Sequence, residues 1–227
     1  MPAYAEQRYW EKRYEDDDER FEWFLDYATL GPLLRRLLRR HSDVVDVGAG
    51  TSTLLWDMRR DGFQGGRMVA LDTSAAAVRR LRATAGDAVE VLLADARRTG
   101  LKAGAFDAVL DKGTTDAVMC GDPAVAAAVL REGARLLRPG GKYVLVSHRR
   151  CFVSGTPNDD DDAWLAAVLG GLCDDDEASW RADVHAARRD DSPAVYVFTK
   201  RRASPRLDHS RRGGLVFDVR LYDDDPP

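Results

Sequence analysis

The feature that most narrows the fold is a regular alternation of short apolar runs with segments of helical period across the middle of the chain. Asp43-Val44-Val45-Asp46-Val47, Arg67-Met68-Val69-Ala70-Leu71-Asp72, Val89-Glu90-Val91-Leu92-Leu93, Phe106-Asp107-Ala108-Val109-Leu110 and Lys142-Tyr143-Val144-Leu145-Val146-Ser147 read as five strands. Between them, residues 51–60, 75–84 and 124–137 repeat their apolar positions at helical spacing. Ser74 is placed to cap the second of these helices, and Arg138-Pro139-Gly140-Gly141 to stop the third. Strands that are apolar on both faces and separated by helices predict a parallel sheet covered on both sides. Residues 180–186 and 194–199 are expected to close the sheet as a further strand pair. Residues 201–227 read as a polar tail, with Leu215-Val216-Phe217 and Leu221-Tyr222 able to add one edge strand.

The chain has 227 residues, which predicts one domain or one domain with an appendage. Apolar residues make up 44% and charged residues 32%, enough for a sizeable core, so a wholly disordered chain is excluded. The net charge of −4 gives none of the basic excess that phosphate-backbone binding exploits, so nucleic acid is not expected as a partner. No apolar run approaches the roughly 20 residues needed to span a bilayer, so no membrane partner is expected either. The first residues lack the apolar core of a secretory signal, and Glu6 and Glu11 argue against an acid-poor transit peptide. Cys120, Cys151 and Cys173 are too few and too far apart for a disulfide framework or a zinc pair, and the four histidines are scattered, so no metal site is expected. Together these point to a cytoplasmic protein.

Paired arginines recur along the chain, but in Pro32-Leu33-Leu34-Arg35-Arg36-Leu37-Leu38-Arg39-Arg40 they alternate with paired leucines. That is a solvated helix face and not a binding surface. The acidic runs at 16–18, 159–162, 174–176 and 223–225 are expected to be exposed loops and a terminal tail, since none has the spacing of a calcium loop.

Chemistry enters at Asp46-Val47-Gly48-Ala49-Gly50-Thr51-Ser52-Thr53, between the first strand and its helix. Gly48 and Gly50 permit a tight turn and close approach of a ligand, which would lie outside the carboxyl end of the strand. Asp72 ends the second strand, where an acidic residue accepts hydrogen bonds from ribose hydroxyls. Thr53 replaces the third glycine of the dinucleotide fingerprint, which weakens an NAD-dependent oxidoreductase reading. Asp95 follows the third strand, where it either accepts from an adenine amino group, with the Ala96 backbone N–H beside the ring, or simply caps a turn.

The D-x-G-x-G form resembles motif I of the S-adenosylmethionine-dependent methyltransferases. Two further segments are more specific: Tyr9-Trp10-Glu11-Lys12-Arg13-Tyr14 followed by Phe21-Glu22-Trp23-Phe24 and Tyr27, and Leu110-Asp111-Lys112-Gly113-Thr114-Thr115-Asp116-Ala117-Val118. With the glycine turn, these are similar to the protein-lysine methyltransferases that act on translation elongation factor 1-alpha and to their relative acting on citrate synthase. The resemblance extends from about Tyr9 to Lys200. It implies an α/β, Rossmann-like, seven-stranded and mostly parallel sheet with helices on both faces, the class I methyltransferase fold. Residues 1–40 would form an aromatic, helical cap, residues 41–200 the methyltransferase domain and residues 201–227 the tail. Ala49-Gly50-Thr51 departs from the Cys-Gly-Asn or Cys-Gly-Thr usual in the group, and the Asp-rich stretches fall where the substrate side is shaped.

By the same resemblance, Trp10, Tyr14, Trp23, Gly48, Gly50, Asp72, Thr73, Asp95, Ala96 and Lys112 would hold S-adenosylmethionine, with S-adenosylhomocysteine as the product. Methyl transfer to a lysine needs a neutral amine held in line with the S–CH₃ bond. A free lysine near pKa ~10.4 is almost wholly charged at neutral pH, and a nearby sulfonium with partial desolvation would lower that value. Proton loss to water could then suffice, with Asp111 or Asp116 orienting the amine. Elongation factor 1-alpha is the expected protein substrate, because no mitochondrial presequence precedes Tyr9. The competing readings are a small-molecule N- or O-methyltransferase, and a non-catalytic module that keeps the cofactor fold as scaffold.

Overall fold

A computed structural model describes residues 3–16, 20–84, 87–149, 159–172, 178–185, 192–202 and 215–219. The strands are β1 (Val44–Val47), β2 (Met68–Asp72), β3 (Glu90–Leu93), β4 (Phe106–Lys112), β5 (Leu137–Ser147), β6 (Ala178–His185), β7 (Ala194–Arg202) and β8 (Leu215–Val219). The helices are α1 (Gln7–Asp16), α2 (Tyr27–Leu37), α3 (Leu54–Arg60), α4 (Ala75–Ala83), α5 (Thr114–Met119), α6 (Pro123–Leu136) and α7 (Asp159–Leu172). All strands join one sheet in the order β3-β2-β1-β4-β5-β7-β6-β8. The first five are mutually parallel, and β7 runs antiparallel between β5 and β6. The seven-stranded α/β sheet expected from the resemblance is therefore present, with β8 added parallel to β6 at the edge.

Both faces of the sheet are covered, and the strands alternate their apolar side chains between two cores. On one face, Val45, Val47, Val109, Tyr143 and Leu145 pack with Leu130 and Val129 of α6 and with Trp164 and Val168 of α7. On the other, Val44, Met68, Leu110, Val144 and Val197 meet Leu33 and Leu34 of α2, and Leu54 and Met58 of α3. Ser74 caps α4 by accepting from the Ala77 N–H at 3.1 Å. The sheet order reverses direction between β1 and β4, so the connections after these strands diverge and leave a crevice at their carboxyl ends.

Several boundaries differ from those read in the sequence, each for a local reason. The leucine and arginine pairs from Leu33 to Arg36 belong to a helix that starts earlier, at Tyr27, because the Asp26 side chain caps it by accepting from the Thr29 N–H at 3.0 Å. The helix ends at Leu37, so Arg39-Arg40 lies beyond it and not on its face. Arg138-Pro139-Gly140-Gly141 stops α6 as expected but lies within the span of β5. The register jumps from Phe106↔Leu137 to Ala108↔Lys142, so those four residues bulge outward, with Gly140 at φ +88°. Residues 159–162 were expected to be an exposed loop; instead their backbone forms the first turn of α7. The runs at 174–176 and 223–225, and the expected strand residues Leu221-Tyr222, lie outside the described residues.

Candidate active site

The buried polar residues gather at the carboxyl ends of the central strands. Asp46, Asp72, Asp111, Lys112, Thr115, Asp116 and Ser147 are all buried there. Beside them opens a cleft of about 310 Å³, at the lower end of the volumes typical for small-molecule sites. Of the residues singled out in the sequence, Trp10, Tyr14, Trp23, Gly48, Asp72, Thr73, Asp95, Ala96 and Lys112 line this cleft, while Gly50, Asp111 and Asp116 do not.

The glycine turn is built for neighbouring side chains as much as for a ligand. Gly48 has φ +67°, and a Cβ there would collide with the side chain of Thr114 on α5. Thr114 Oγ1 itself donates to the Val47 carbonyl at 2.8 Å, locking the start of α5 to the turn. Gly50, at φ +56°, leaves room for the Tyr14 hydroxyl, and its N–H donates to Asp72 Oδ2 at 2.8 Å. The other Asp72 oxygen accepts from the Ser74 N–H at 2.8 Å. Two backbone donors thus fix the carboxylate in place and leave further lone pairs for the cleft. Burial pushes the Asp72 pKa up, against the lowering effect of these hydrogen bonds.

Asp95 stands differently. Its oxygens accept from the Arg97 backbone N–H at 2.8 Å and from the Arg97 guanidinium at 2.5–3.0 Å. Those hydrogen bonds hold the carboxyl below its ordinary range. The turn-capping role and the cleft-lining position coexist, and a ligand amino group would share the carboxylate with Arg97.

The amino-terminal segment forms the opposite wall. Trp10 stacks between Tyr4 and Tyr14, at ring separations of 5.9 and 5.8 Å, and meets Trp23 edge-on at 5.1 Å. Gln7 Nε2 donates to the Thr73 carbonyl at 2.7 Å, and Glu11 accepts from the Ala76 N–H at 3.1 Å, so α1 is moored to the first turn of α4. A second mooring comes from Glu22. It accepts from Ser52 Oγ and from the Thr53 N–H, at 2.8 and 2.9 Å, and pairs with Lys112 Nζ at 2.9 Å. Lys112 also donates to the Trp23 carbonyl at 2.8 Å. Lys112 therefore ties β4 to the aromatic wall. Glu22 lies within the Phe21-Glu22-Trp23-Phe24 segment, but its mooring role is not legible there, because it depends on contacts with residues distant along the chain.

Asp111 and Asp116 point elsewhere. Asp111 is 0% exposed, and accepts from Thr115 Oγ1 at 2.5 Å, the Thr115 N–H at 3.1 Å and the Tyr143 hydroxyl at 2.8 Å. Burial lifts its pKa to about 6 despite these donors. Asp116 accepts from Ser147 Oγ at 2.7 Å and the His148 N–H at 2.9 Å, and lies 2.7 Å from His148 Nδ1. Asp46, near the end of β1, is buried, and burial raises its pKa to about 7 against the attraction of Lys112.

A mostly parallel sheet with this strand order and an antiparallel β7, a glycine turn after β1, a buried acid ending β2 and a small-molecule cleft beside them together define the class I methyltransferase fold. Residues 44–141 match the family model described as a methyltransferase domain. Among curated proteins, the chain is 31% identical over 153 residues to the EEF1A lysine methyltransferase 4 of Mus musculus, covering 62% of this chain and 60% of that one. It is also 31% identical over 144 residues to the eEF1A lysine and N-terminal methyltransferase of Danio rerio, covering 61% of this chain but 21% of that one. Among solved structures, a SAM-dependent methyltransferase from Aquifex aeolicus superposes with a TM-score of 0.56 at 15% identity, over 84% of this chain and 97% of its own. The magnesium protoporphyrin IX methyltransferase of Synechocystis PCC 6803, solved with bound SAM, gives 0.52 at 16% identity over 77% and 78%. No helix among the described residues is long and apolar enough to cross a membrane.

Proposed function

We propose that this protein is an S-adenosylmethionine-dependent protein-lysine N-methyltransferase acting in the cytoplasm on translation elongation factor 1-alpha. The observation that carries the reading is the cleft itself: a backbone-anchored acid, Asp72, faces an aromatic wall of Trp10, Tyr14 and Trp23. The names of the mouse and zebrafish relatives support the choice of substrate.

The residues present fit the cofactor. Asp72 keeps free lone pairs for ribose hydroxyls, and Thr73 lies beside it. Asp95 and Ala96 border the space for the adenine, and Gly48 the amino-acid end. Aromatic faces attract a cation by roughly 0.5–2 kcal/mol, which suits a sulfonium near Trp10, Tyr14 and Trp23. Lys112 would add an unwelcome positive charge, but Glu22 offsets it at 2.9 Å. When bound, the cofactor supplies an activated methyl group. The chain's part is to hold the acceptor nitrogen close and to favour its neutral form. We assign Asp111 to bracing α5 against β5 and Asp116 to holding His148, since the oxygens of each already accept from neighbouring donors.

The test is to incubate the purified protein with methyl-labelled S-adenosylmethionine and elongation factor 1-alpha, and to map the label by mass spectrometry. Label on a lysine of the factor is the expected result. Label confined to small molecules, or none despite calorimetric binding of the cofactor, overturns the reading.

A further inference from the structure

At the end of β5, just outside the cleft, stands a histidine with no part in holding the cofactor. The His148 side chain is 54% exposed, whereas that of its partner Asp116 is 4% exposed. Asp116 already accepts two hydrogen bonds, from Ser147 Oγ and the His148 N–H, so Nδ1 meets it 2.7 Å away as a third donor. That places the proton of the neutral ring on Nδ1 and its lone pair on Nε2, the arrangement of a base oriented by a carboxylate.

A second, independent feature converges on the same ring. Phe24 is the one non-glycine residue with positive φ, +66°, among the described residues. A bulky side chain in that conformation is strained, and such strain concentrates at functional sites. It sets the Phe24 ring 6.0 Å from that of His148 and 5.7 Å from Trp23, which lines the cleft. Gly113 makes this possible, because a Cβ there would approach Trp23 Cδ1 to 2.8 Å and Phe24 Cε2 to 3.1 Å. Trp23, Phe24 and His148 thus form a continuous aromatic path from the cleft to a half-open imidazole.

We infer that His148 is the proton acceptor for the incoming lysine, with Asp116 as its positioning residue and Phe24 as the wall along which the lysine's methylene chain passes. The inference rests on the lysine-methylation reading above. An N–H bond of the ammonium breaks, its electron pair stays on the lysine nitrogen, and the proton forms a bond to Nε2 before passing to water. The charged and titratable groups nearby are Asp116 on α5 against the ring, Cys120 at the end of α5 beside Asp116 with its thiol pKa raised by burial, Arg149 next along the chain, and the Glu22–Lys112 pair, whose lysine donates to the Trp23 carbonyl just before Phe24.

The experiment compares His148→Ala and His148→Gln with the wild-type protein, using labelled S-adenosylmethionine and elongation factor 1-alpha from pH 5.5 to 9.5. The inference expects kcat at pH 7 to fall roughly 10²-fold, the scale of a lost general base, with the deficit shrinking as pH rises. Added imidazole should restore part of the His148→Ala rate. Cofactor affinity by calorimetry should stay within about twofold, which also shows that the variants fold. A rate loss equal at every pH and untouched by imidazole, or no loss at all, overturns the role of His148 and leaves the methyltransferase intact. A wild-type protein that binds cofactor yet methylates no lysine overturns both.

Discussion

Gly48 and Asp72 show how much of the site is decided by single backbone positions. Gly48 sits at positive φ with Thr114 in the space a side chain would need. Gly48→Ala should therefore destabilise the fold by about 1–2 kcal/mol from the left-handed backbone alone, and by more from the clash. Thr114→Ala in the same chain should recover the clash component. A double-mutant cycle by urea unfolding measures this, and strict additivity would show that the two residues do not compete for that space. For cofactor affinity the two strand-end acids should behave unequally. Asp72 has its backbone donors and free lone pairs, so Asp72→Asn, which turns an acceptor into a donor facing a backbone N–H, should weaken S-adenosylmethionine binding at least tenfold. Asp95 is already saturated by Arg97, so Asp95→Asn should cost less. Calorimetric titration decides, and a larger loss at Asp95 would reverse the assignment of ribose and adenine ends.

Elements meet at the aromatic wall, which is held to the sheet by two moorings of different kind. Gln7 and Glu11 attach α1 to the start of α4, whereas Glu22 links the following segment to α3 and β4. Glu22→Gln would leave Lys112, whose side chain is 5% exposed, without its counter-charge. Breaking a fully buried pair costs roughly 3–5 kcal/mol, and the partial exposure of Glu22 should bring this nearer 2 kcal/mol. The expected outcome is faster proteolysis before Tyr27 together with weaker cofactor binding; unchanged cleavage would mean that α1 alone holds the wall. This level also marks where the sequence stops being readable. Local period and turn chemistry revealed β1 to β4, α4 and its Ser74 cap, and the aromatic run resembling a known family exposed the wall residues. Glu22 and Thr114 stood inside the segments that carry the resemblance, but their contacts, like that of His148, could not be read there, because the partners Lys112, Val47 and Asp116 are distant along the chain. The bulge at Arg138–Gly141 was likewise hidden: the residues announced a stop, but only pairing with β4 reveals that the strand resumes in a shifted register.

For the whole molecule, the central strands end in buried carboxyls, and that arrangement sets how stability responds to pH. Burial raises Asp46 to about 7 and Asp111 to about 6, both well above the ~3.9 of an unfolded aspartate. Between these values the folded chain keeps protons the unfolded chain has lost, so their contribution to stability falls as pH rises from about 4 to about 7. Asp61, lowered to about 2 by the Tyr27 and Arg35 side chains, acts in the other sense: its contribution is present above about 4 and is lost as pH falls through 2. Thermal unfolding should thus show a higher Tm at pH 5 than at pH 8, and Asp46→Asn should flatten the slope. An equal slope in the variant would place the titration elsewhere. Ligand binding acts on the same equilibrium, since a cofactor that binds only the folded chain adds about 2.7 kcal/mol at a hundredfold excess over its Kd. For a domain of this length that corresponds to a rise in Tm of roughly 5–10 °C. S-adenosylmethionine and S-adenosylhomocysteine should both produce it, because Asp72, Thr73 and Ala96 line the cleft where we propose the nucleoside common to the two is held. NAD should not, since Thr53 stands where the dinucleotide fingerprint needs its third glycine and the cleft holds only about 310 Å³. A shift with NAD that matched the one with S-adenosylmethionine would mean that the cleft recognises an adenosine and nothing beyond it, and the aromatic wall would then have no claim on a sulfonium.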